Sequence, residues 1–234
     1  MKRIITLFLL FISIGAFAAK PAHQYVRVQT NKGECIIMLY NQTPLHRDNF
    51  LKLAKEGFYN GTLFHRVIKE FMIQGGDPDS KTAKRGQALG EGDLGYRVDA
   101  EFRENLFHKK GVLAAARDNN PEKASSASQF YIVQGKKWTD ETLDQIQKNR
   151  MQGRQIPEVQ REVYKSLGGT PHLDQNYTVY GEVVKGIELV DSIASVKTAP
   201  GDRPLEDIKM EITVLKKREA RKLEKSLGLK NNTL

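Results

Sequence analysis

Residues 63–77 read Leu63-Phe64-His65-Arg66-Val67-Ile68-Lys69-Glu70-Phe71-Met72-Ile73-Gln74-Gly75-Gly76-Asp77, and residues 128–132 read Ser128-Gln129-Phe130-Tyr131-Ile132. Short apolar runs rich in Phe, Ile and Val and bounded by turn residues predict strands, here Leu63 to Ile68, Phe71 to Gln74 and Gln129 to Val133. Alternation within the first run places Phe64, Arg66 and Ile68 on one face and His65 and Val67 on the other. Arg66 can then face a groove with an apolar floor.

Working outward, Tyr25 to Gln29 and Glu34 to Tyr40 form a predicted hairpin around Asn31-Lys32-Gly33. Thr43 offers an N-cap with Pro44 at the first helical position, predicting a helix over 44–56 that stops at Gly57. Further strands are predicted at Gly111 to Ala116, Thr178 to Val184 and Ile208 to Val214, and a second principal helix at Ile187 to Ala194. Between residues 140 and 167 the period changes: Leu143 and Ile146, then Val159, Val163 and Leu167, predict a two-helix insertion. The loop from Gly75 to Gly95 is long for a compact domain, which suggests mobility or a binding role. The fold class expected is mainly β: a closed eight-stranded antiparallel barrel capped by two α-helices, with the helical insertion near 140–167.

The ends of the chain differ from its middle. Lys2-Arg3, the apolar stretch Ile4 to Phe17 and Ala16-Phe17-Ala18 have the three parts of a secretory signal, so residues 1–18 are expected to be removed before Ala19. That stretch is shorter than the ~20 residues of a spanning helix, and no transmembrane anchor is expected in the mature form. Of the formal net charge of +9, Lys2 and Arg3 carry +2 and residues 216–234 carry +5, so the middle is nearly neutral and no nucleic-acid partner is expected. The lone Cys35 sits in an alternating run, where a buried apolar role fits best. The basic tail, 216–234, is expected to be a solvated helical extension, with weak contact to an anionic surface as the sharper alternative.

Other chemistries lack their signals. Gly90-Glu91-Gly92-Asp93-Leu94-Gly95 matches G-x-G-x-x-G, but a loop precedes it and the strand-like Tyr96-Arg97-Val98 follows, so a dinucleotide site is not expected. The five histidines show no metal-ligand spacing and no nucleophile elbow or phosphate loop occurs. No cofactor and no metal are expected.

The two opening segments, with Gly57-Phe58-Tyr59 before them and Gly169-Thr170-Pro171-His172-Leu173-Asp174 after, resemble the cyclophilin-type peptidyl-prolyl cis-trans isomerases. The resemblance runs from Tyr25 to Val214 in family order and makes 19–215 one isomerase-like domain. It implies the capped barrel and an activity on proline-containing polypeptides. By resemblance Arg66, Phe71, Gln74 and Gln129 are the catalytic set: Phe71, Met72 and Tyr131 form a proline pocket, and Gln74 and Gln129 orient Arg66. Ala116 and Arg117 match the segment that pairs with bound peptide. An amide turns over a barrier of about 18–20 kcal/mol, and a cationic donor at the proline nitrogen favours the twisted state, where the lone pair is localised.

Some positions depart from the family pattern. Tyr131 stands where Phe is familiar and Arg117 where Asn is. His172, beside Leu173, replaces the rim Trp, and Tyr177 replaces a His. Trp138 is an alternative rim residue, and weakened cyclosporin binding is implied if His172 takes that place. A non-catalytic proline-peptide module or chaperone is the alternative function. The expected setting is export, to a periplasm, of a monomeric folding catalyst.

Overall fold

The computed structural model describes residues 23–229. The expected signal peptide and its cleavage site lie outside them. The first hairpin is β1 (Gln24–Thr30) and β2 (Gly33–Leu39), followed by α1 (Pro44–Lys55), β3 (Phe64–Ile68) and β4 (Met72–Gly75). Then come β5 (Arg97–Val98), β6 (Val112–Ala115), β7 (Ser125–Ser126) and β8 (Phe130–Val133). The insertion is α2 (Asp140–Arg150) and α3 (Glu158–Ser166); β9 (Val179–Lys185), α4 (Glu188–Ala194), β10 (Met210–Val214) and α5 (Lys217–Ser226) complete the described chain.

Eight strands form one antiparallel sheet in the order β10-β1-β2-β9-β6-β8-β4-β3, and β5 pairs with β7 separately. The sheet curls but does not close, which corrects the closed barrel expected. Its end strands approach only at a seam, where Leu63 bridges Lys209, the Phe64 N–H donates to Ile208 O and the Met210 N–H to Thr62 O. Beyond it the Val67 N–H donates to Asp202 O, so the loop before β10 occupies the edge of β3 that a closing strand would need.

Alternation sorts the strands into two faces. Val26, Val28, Ile37, Leu39, Ile73, Leu113, Phe130 and Ile132 enter the inner core with Phe50, Leu53 and Ala54 of α1 and Leu189, Val190 and Ile193 of α4. The outer face carries Met38, Met72, Ala114, Tyr131 and Val179. In β3 the alternation breaks: a register shift between Phe64 and Arg66 turns both Phe64 and Val67 into the inner core. Phe64 and Arg66 therefore do not share a face.

Three local expectations change. Thr43 is the N-cap of α1, but its side chain makes no capping bond; the buried Glu101 carboxylate accepts from the Leu45 and His46 N–H groups instead. In α3 the apolar positions are not the core: Val159 is 78% exposed and Leu167 is exposed, whereas Tyr164 and Gln160 are buried. Tyr164 wins the interior because its ring packs with Leu143, Ile146, Met151 and Ile156 while its hydroxyl reaches the buried Asp174. The tail is helical as expected, yet α5 is not fully solvated. Ala220 and Leu223 join the outer apolar cluster, and the buried Glu224 accepts from Tyr25 Oη and the His23 N–H. Cys35 is buried, and burial pushes its thiol up to about 12, as suits a small core side chain.

Candidate active site

Four neighbouring strands set the register of the site. Gln74 of β4 is paired with Arg66 of β3 on one side and with Tyr131 of β8 on the other, and Tyr131 with Ala114 of β6. Residues opposite one another across a sheet share a face, so Arg66, Gln74 and Tyr131 stand in one row on its outer side. They border a cavity of about 170 Å³ with Phe71 and Met72. Ala116, Arg117, Leu173 and Tyr177 complete its wall. Two further predicted residues sit just behind: Gln129 bonds to Gln74, and His172 stacks on Phe71 with ring centroids 5.8 Å apart. Trp138 goes elsewhere, donating Nε1 to Gly169 O and packing beside the insertion cluster, so His172 takes the position next to Phe71.

A directed polar chain ends at Arg66. Gln129 Nε2 donates to the carbonyls of Gly90 and Gly92, both at 2.9 Å. Carbonyls only accept, which forces the Gln129 amide oxygen toward Gln74 Nε2 at 3.2 Å. Gln74 Oε1 is thereby turned to Arg66 Nη1, 3.5 Å away. The glycine loop thus serves as the anchor of this chain. It is itself held by the buried Asp77, whose carboxylate accepts from the Gly90 and Asp79 N–H groups.

Arg66 has a second partner that the sequence did not disclose. Asp202 Oδ2 lies 3.4 Å from Arg66 Nε, 136 residues away along the chain. Asp202 adopts a left-handed backbone with φ 62°, which Asp tolerates better than most residues. Pro200-Gly201-Asp202 announces a turn, but nothing in a turn signal says which strand it will meet. Arg117 is also fastened: Nε donates to Asn176 O, Nη1 to Asp118 O, and the guanidinium lies 4.7 Å above the Tyr177 ring. Ala116 donates its N–H to Gln129 O and accepts from the Ser126 N–H.

A Ser–His–Glu series also exists, with Ser125 Oγ 2.9 Å from His46 Nε2 and Glu101 Oε2 2.8 Å from His46 Nδ1. Ser125 is 1% exposed and Glu101 is engaged in capping α1, so this is a buried fastening between α1 and β7. It presents no nucleophile to a substrate.

The buried His65 and the half-buried His172 are expected to make stability depend on pH. Burial first, then Arg203 and Arg66, lower His65 to about 4; burial first, then Arg150 and His108, lower His172 to about 4. The folded state then refuses a proton that the unfolded chain accepts near 6.5, so stability falls as pH drops from about 6.5 toward 4. For the 3%-exposed His65 this amounts to on the order of 2 kcal/mol by pH 5. Urea midpoints at pH 7 and pH 5 test this: the lower value is expected at pH 5, with the gap narrowed in His65→Gln. Equal midpoints would refute it.

The arrangement places a charged donor, Arg66, on the border of a mixed recess in which Phe71, Met72, Tyr131 and Leu173 stand beside polar groups. Comparison with known proteins gives the same direction. Residues 25–214 match the family described as cyclophilin type peptidyl-prolyl cis-trans isomerase/CLD. A Staphylococcus aureus (strain USA300) protein named for peptidyl-prolyl cis-trans isomerase activity is 37% identical over 187 residues, 80% of this chain and 88% of that protein. A Streptococcus pyogenes protein named for both phosphatase and peptidyl-prolyl isomerase activity is 38% identical over 189 residues, 80% of this chain but 37% of its own length. In fold, a Cryptosporidium parvum cyclophilin-type isomerase is similar with a TM-score of 0.60 at 24% identity, covering 83% of this chain and 98% of that one. A second structure of that isomerase, in the presence of the dipeptide Ala-Pro, has a TM-score of 0.59 at 24% identity and covers 82% and 99%. The resemblance read from the two strand segments therefore holds over most of the chain, which belongs to the cyclophilin-type peptidyl-prolyl cis-trans isomerases.

Proposed function

We propose that the protein speeds rotation about Xaa-Pro bonds of proline-containing polypeptides by binding the twisted imide at Arg66. The observation that carries this is the placement of the Arg66 guanidinium, between Gln74 and Asp202, on the border of the 170 Å³ cavity that Phe71, Met72 and Tyr131 line. Phe71, Met72 and Tyr131 would receive the pyrrolidine ring. In the planar ground states the imide nitrogen's lone pair is delocalised and accepts weakly; in the twisted state it is localised and accepts well. A guanidinium aimed at it lowers the barrier without proton transfer or a covalent intermediate. Gln129 and Gln74 hold the donor, Ala116 and Arg117 take the peptide beside the ring, and His172, Leu173 and Tyr177 form the rim. The Ala-Pro dipeptide named with the Cryptosporidium parvum structure is in keeping with such a substrate.

Cis-to-trans conversion of a short Xaa-Pro peptide in the cold, where the uncatalysed step is slow, tests this reading. In that assay Asp202→Asn is expected to lower kcat/KM by about twofold to fivefold with KM little changed, because an exposed ion pair restrains Arg66 only modestly. Unchanged or raised activity would remove Asp202 from the account.

The cellular setting proposed is export to a periplasm, where the protein, as a monomer with α1 and α4 covering the sheet's interior, assists folding of other exported chains. The signal-like residues 1–18 support export. The basic side of α5, with Lys217, Arg218, Lys222 and Lys225 exposed opposite its packed face, supports weak contact with anionic surfaces. Sedimentation with anionic vesicles should fall on changing these four residues to Gln, and equal binding would dismiss the contact.

A further inference from the structure

The back wall of the proline pocket is connected to the helical insertion by a buried chain of hydrogen bonds. Tyr131 lines the cavity, but its hydroxyl lies 2.9 Å from Nε2 of His108, a fully buried residue outside the lining. His108 Nδ1 is 2.9 Å from Asp174 Oδ1, which also accepts the His108 backbone N–H at 2.7 Å. Asp174 Oδ2 accepts from Tyr164 Oη at 2.7 Å, and Tyr164 belongs to α3. A carboxylate only accepts, so Nδ1 carries a proton, and in the neutral imidazole Nε2 accepts from the Tyr131 hydroxyl. Every proton in the series has a fixed direction.

We propose that Tyr164 is a positioning residue for substrate recognition, acting through Asp174 and His108 to hold the Tyr131 ring as the pocket's back wall. The inference rests on the proline-pocket reading above, and it gives the insertion a role in the site. Without the Tyr164 hydroxyl, His108 still holds Asp174 Oδ1, but Oδ2 keeps only Arg154 Nη1 at 3.8 Å, so the carboxylate is free to turn about its Oδ1 anchor. His108 follows the carboxylate, and Tyr131 follows His108, with which it is nearly coplanar at 16°. Tyr131 in turn meets Tyr177 edge-on at 5.9 Å, so a tilt of one ring shifts a second lining residue. With Phe at position 131 the pocket would have an aromatic wall but no bond to His108, so Tyr131 is the residue that makes the coupling possible.

The test uses the full chain with ring-labelled tyrosine, read by NMR, and a tetrapeptide containing Ala-Pro as the probe. Tyr164→Phe should move the ring signals of Tyr131 and weaken the peptide by about threefold to tenfold. The same substitution in a Tyr131→Phe background should leave affinity within about 1.5-fold, because the link has already been cut. Unmoved Tyr131 signals in folded Tyr164→Phe, or an equal loss of affinity in both backgrounds, would overturn the proposal. Should Tyr164→Phe not fold, Tyr131→Phe runs the test in reverse: Tyr164 signals that shift support the chain, and signals that stay put refute it. A wild type that binds no proline peptide would defeat the pocket reading, while the ring signals would still decide whether the rings are coupled.

Discussion

Replacing Arg66 with Ala is expected to lower kcat/KM for an Xaa-Pro peptide by about 100-fold to 1000-fold with the fold intact. Removal of one donor aimed at charge that develops in a transition state costs about 2.7–4 kcal/mol in other enzymes. Arg66 fits that class because its guanidinium already stands on the border of the cavity, 3.5 Å from Gln74 and 3.4 Å from Asp202, before substrate arrives. Its contribution to folding should be small. The side chain is 43% exposed, as is that of Asp202, and exposed ion pairs contribute about 1 kcal/mol or less. The peptide assay, paired with a urea titration of the variant, separates the two effects. Activity above a tenth of wild type in a folded variant would show that the guanidinium is not the principal donor.

The largest loss of stability is expected at Gly169. Its φ of 152° lies where L side chains seldom go, and an added Cβ would stand 2.3 Å from His108 O and 2.6 Å from the Tyr164 ring. Its N–H donates to Lys136 O and its carbonyl accepts from Trp138, so the backbone cannot swing aside without releasing both. Backbone strain and overpacking together predict that Gly169→Ala costs about 3–5 kcal/mol. Gly153→Ala is the control: φ there is 84°, but an added Cβ meets nothing within 4 Å, so only the backbone cost of about 1 kcal/mol is expected. Urea titration of both variants tests the difference. Similar midpoints would mean that the crowding around Gly169 relaxes freely.

Two residues beyond Gly169 begins the segment Pro171 to Tyr177, of which Leu173 and Tyr177 line the cavity. The Gly169 neighbours His108 and Tyr164 are members of the chain that reaches Tyr131. A residue with no side chain thus lets Tyr164 of the insertion pack closely against the His108 backbone.

The strands were legible because their signals are local. β1 and β2 announce themselves by alternation around Asn31-Lys32-Gly33, and β4 and β8 by apolar runs that end in turn residues. Nine of the residues expected at the site by resemblance line one cavity: Arg66, Met72, Gln74 and Tyr131 lie on adjacent strands whose order local pattern does not supply, and the other five on the segments that flank strands or follow the insertion. What local pattern missed depends on distant partners. The bulge in β3 reverses Phe64 because its pairing with Gly75 slips by a residue there. Periodicity chose the Val159–Val163–Leu167 side of α3, but the buried carboxylate of Asp174 needs donors, and Tyr164 supplies one. The Thr43 cap yields to the buried Glu101 for the same reason, whereas Arg66 meets the half-exposed Asp202 because the loop before β10 lies along β3. The tail's positive charge suggested solvent, yet every third or fourth residue of α5 is buried.

The central claim is that Arg66 stabilises the twisted imide more than it binds the planar peptide. Exchange NMR at saturating Ala-Pro peptide measures both quantities at once, the cis–trans rate on the protein and the dissociation constant. For Arg66→Ala the account predicts a rate lower by about 100-fold or more, with the dissociation constant changed by less than about threefold. An unchanged rate on the protein, with the loss confined to affinity, would contradict it.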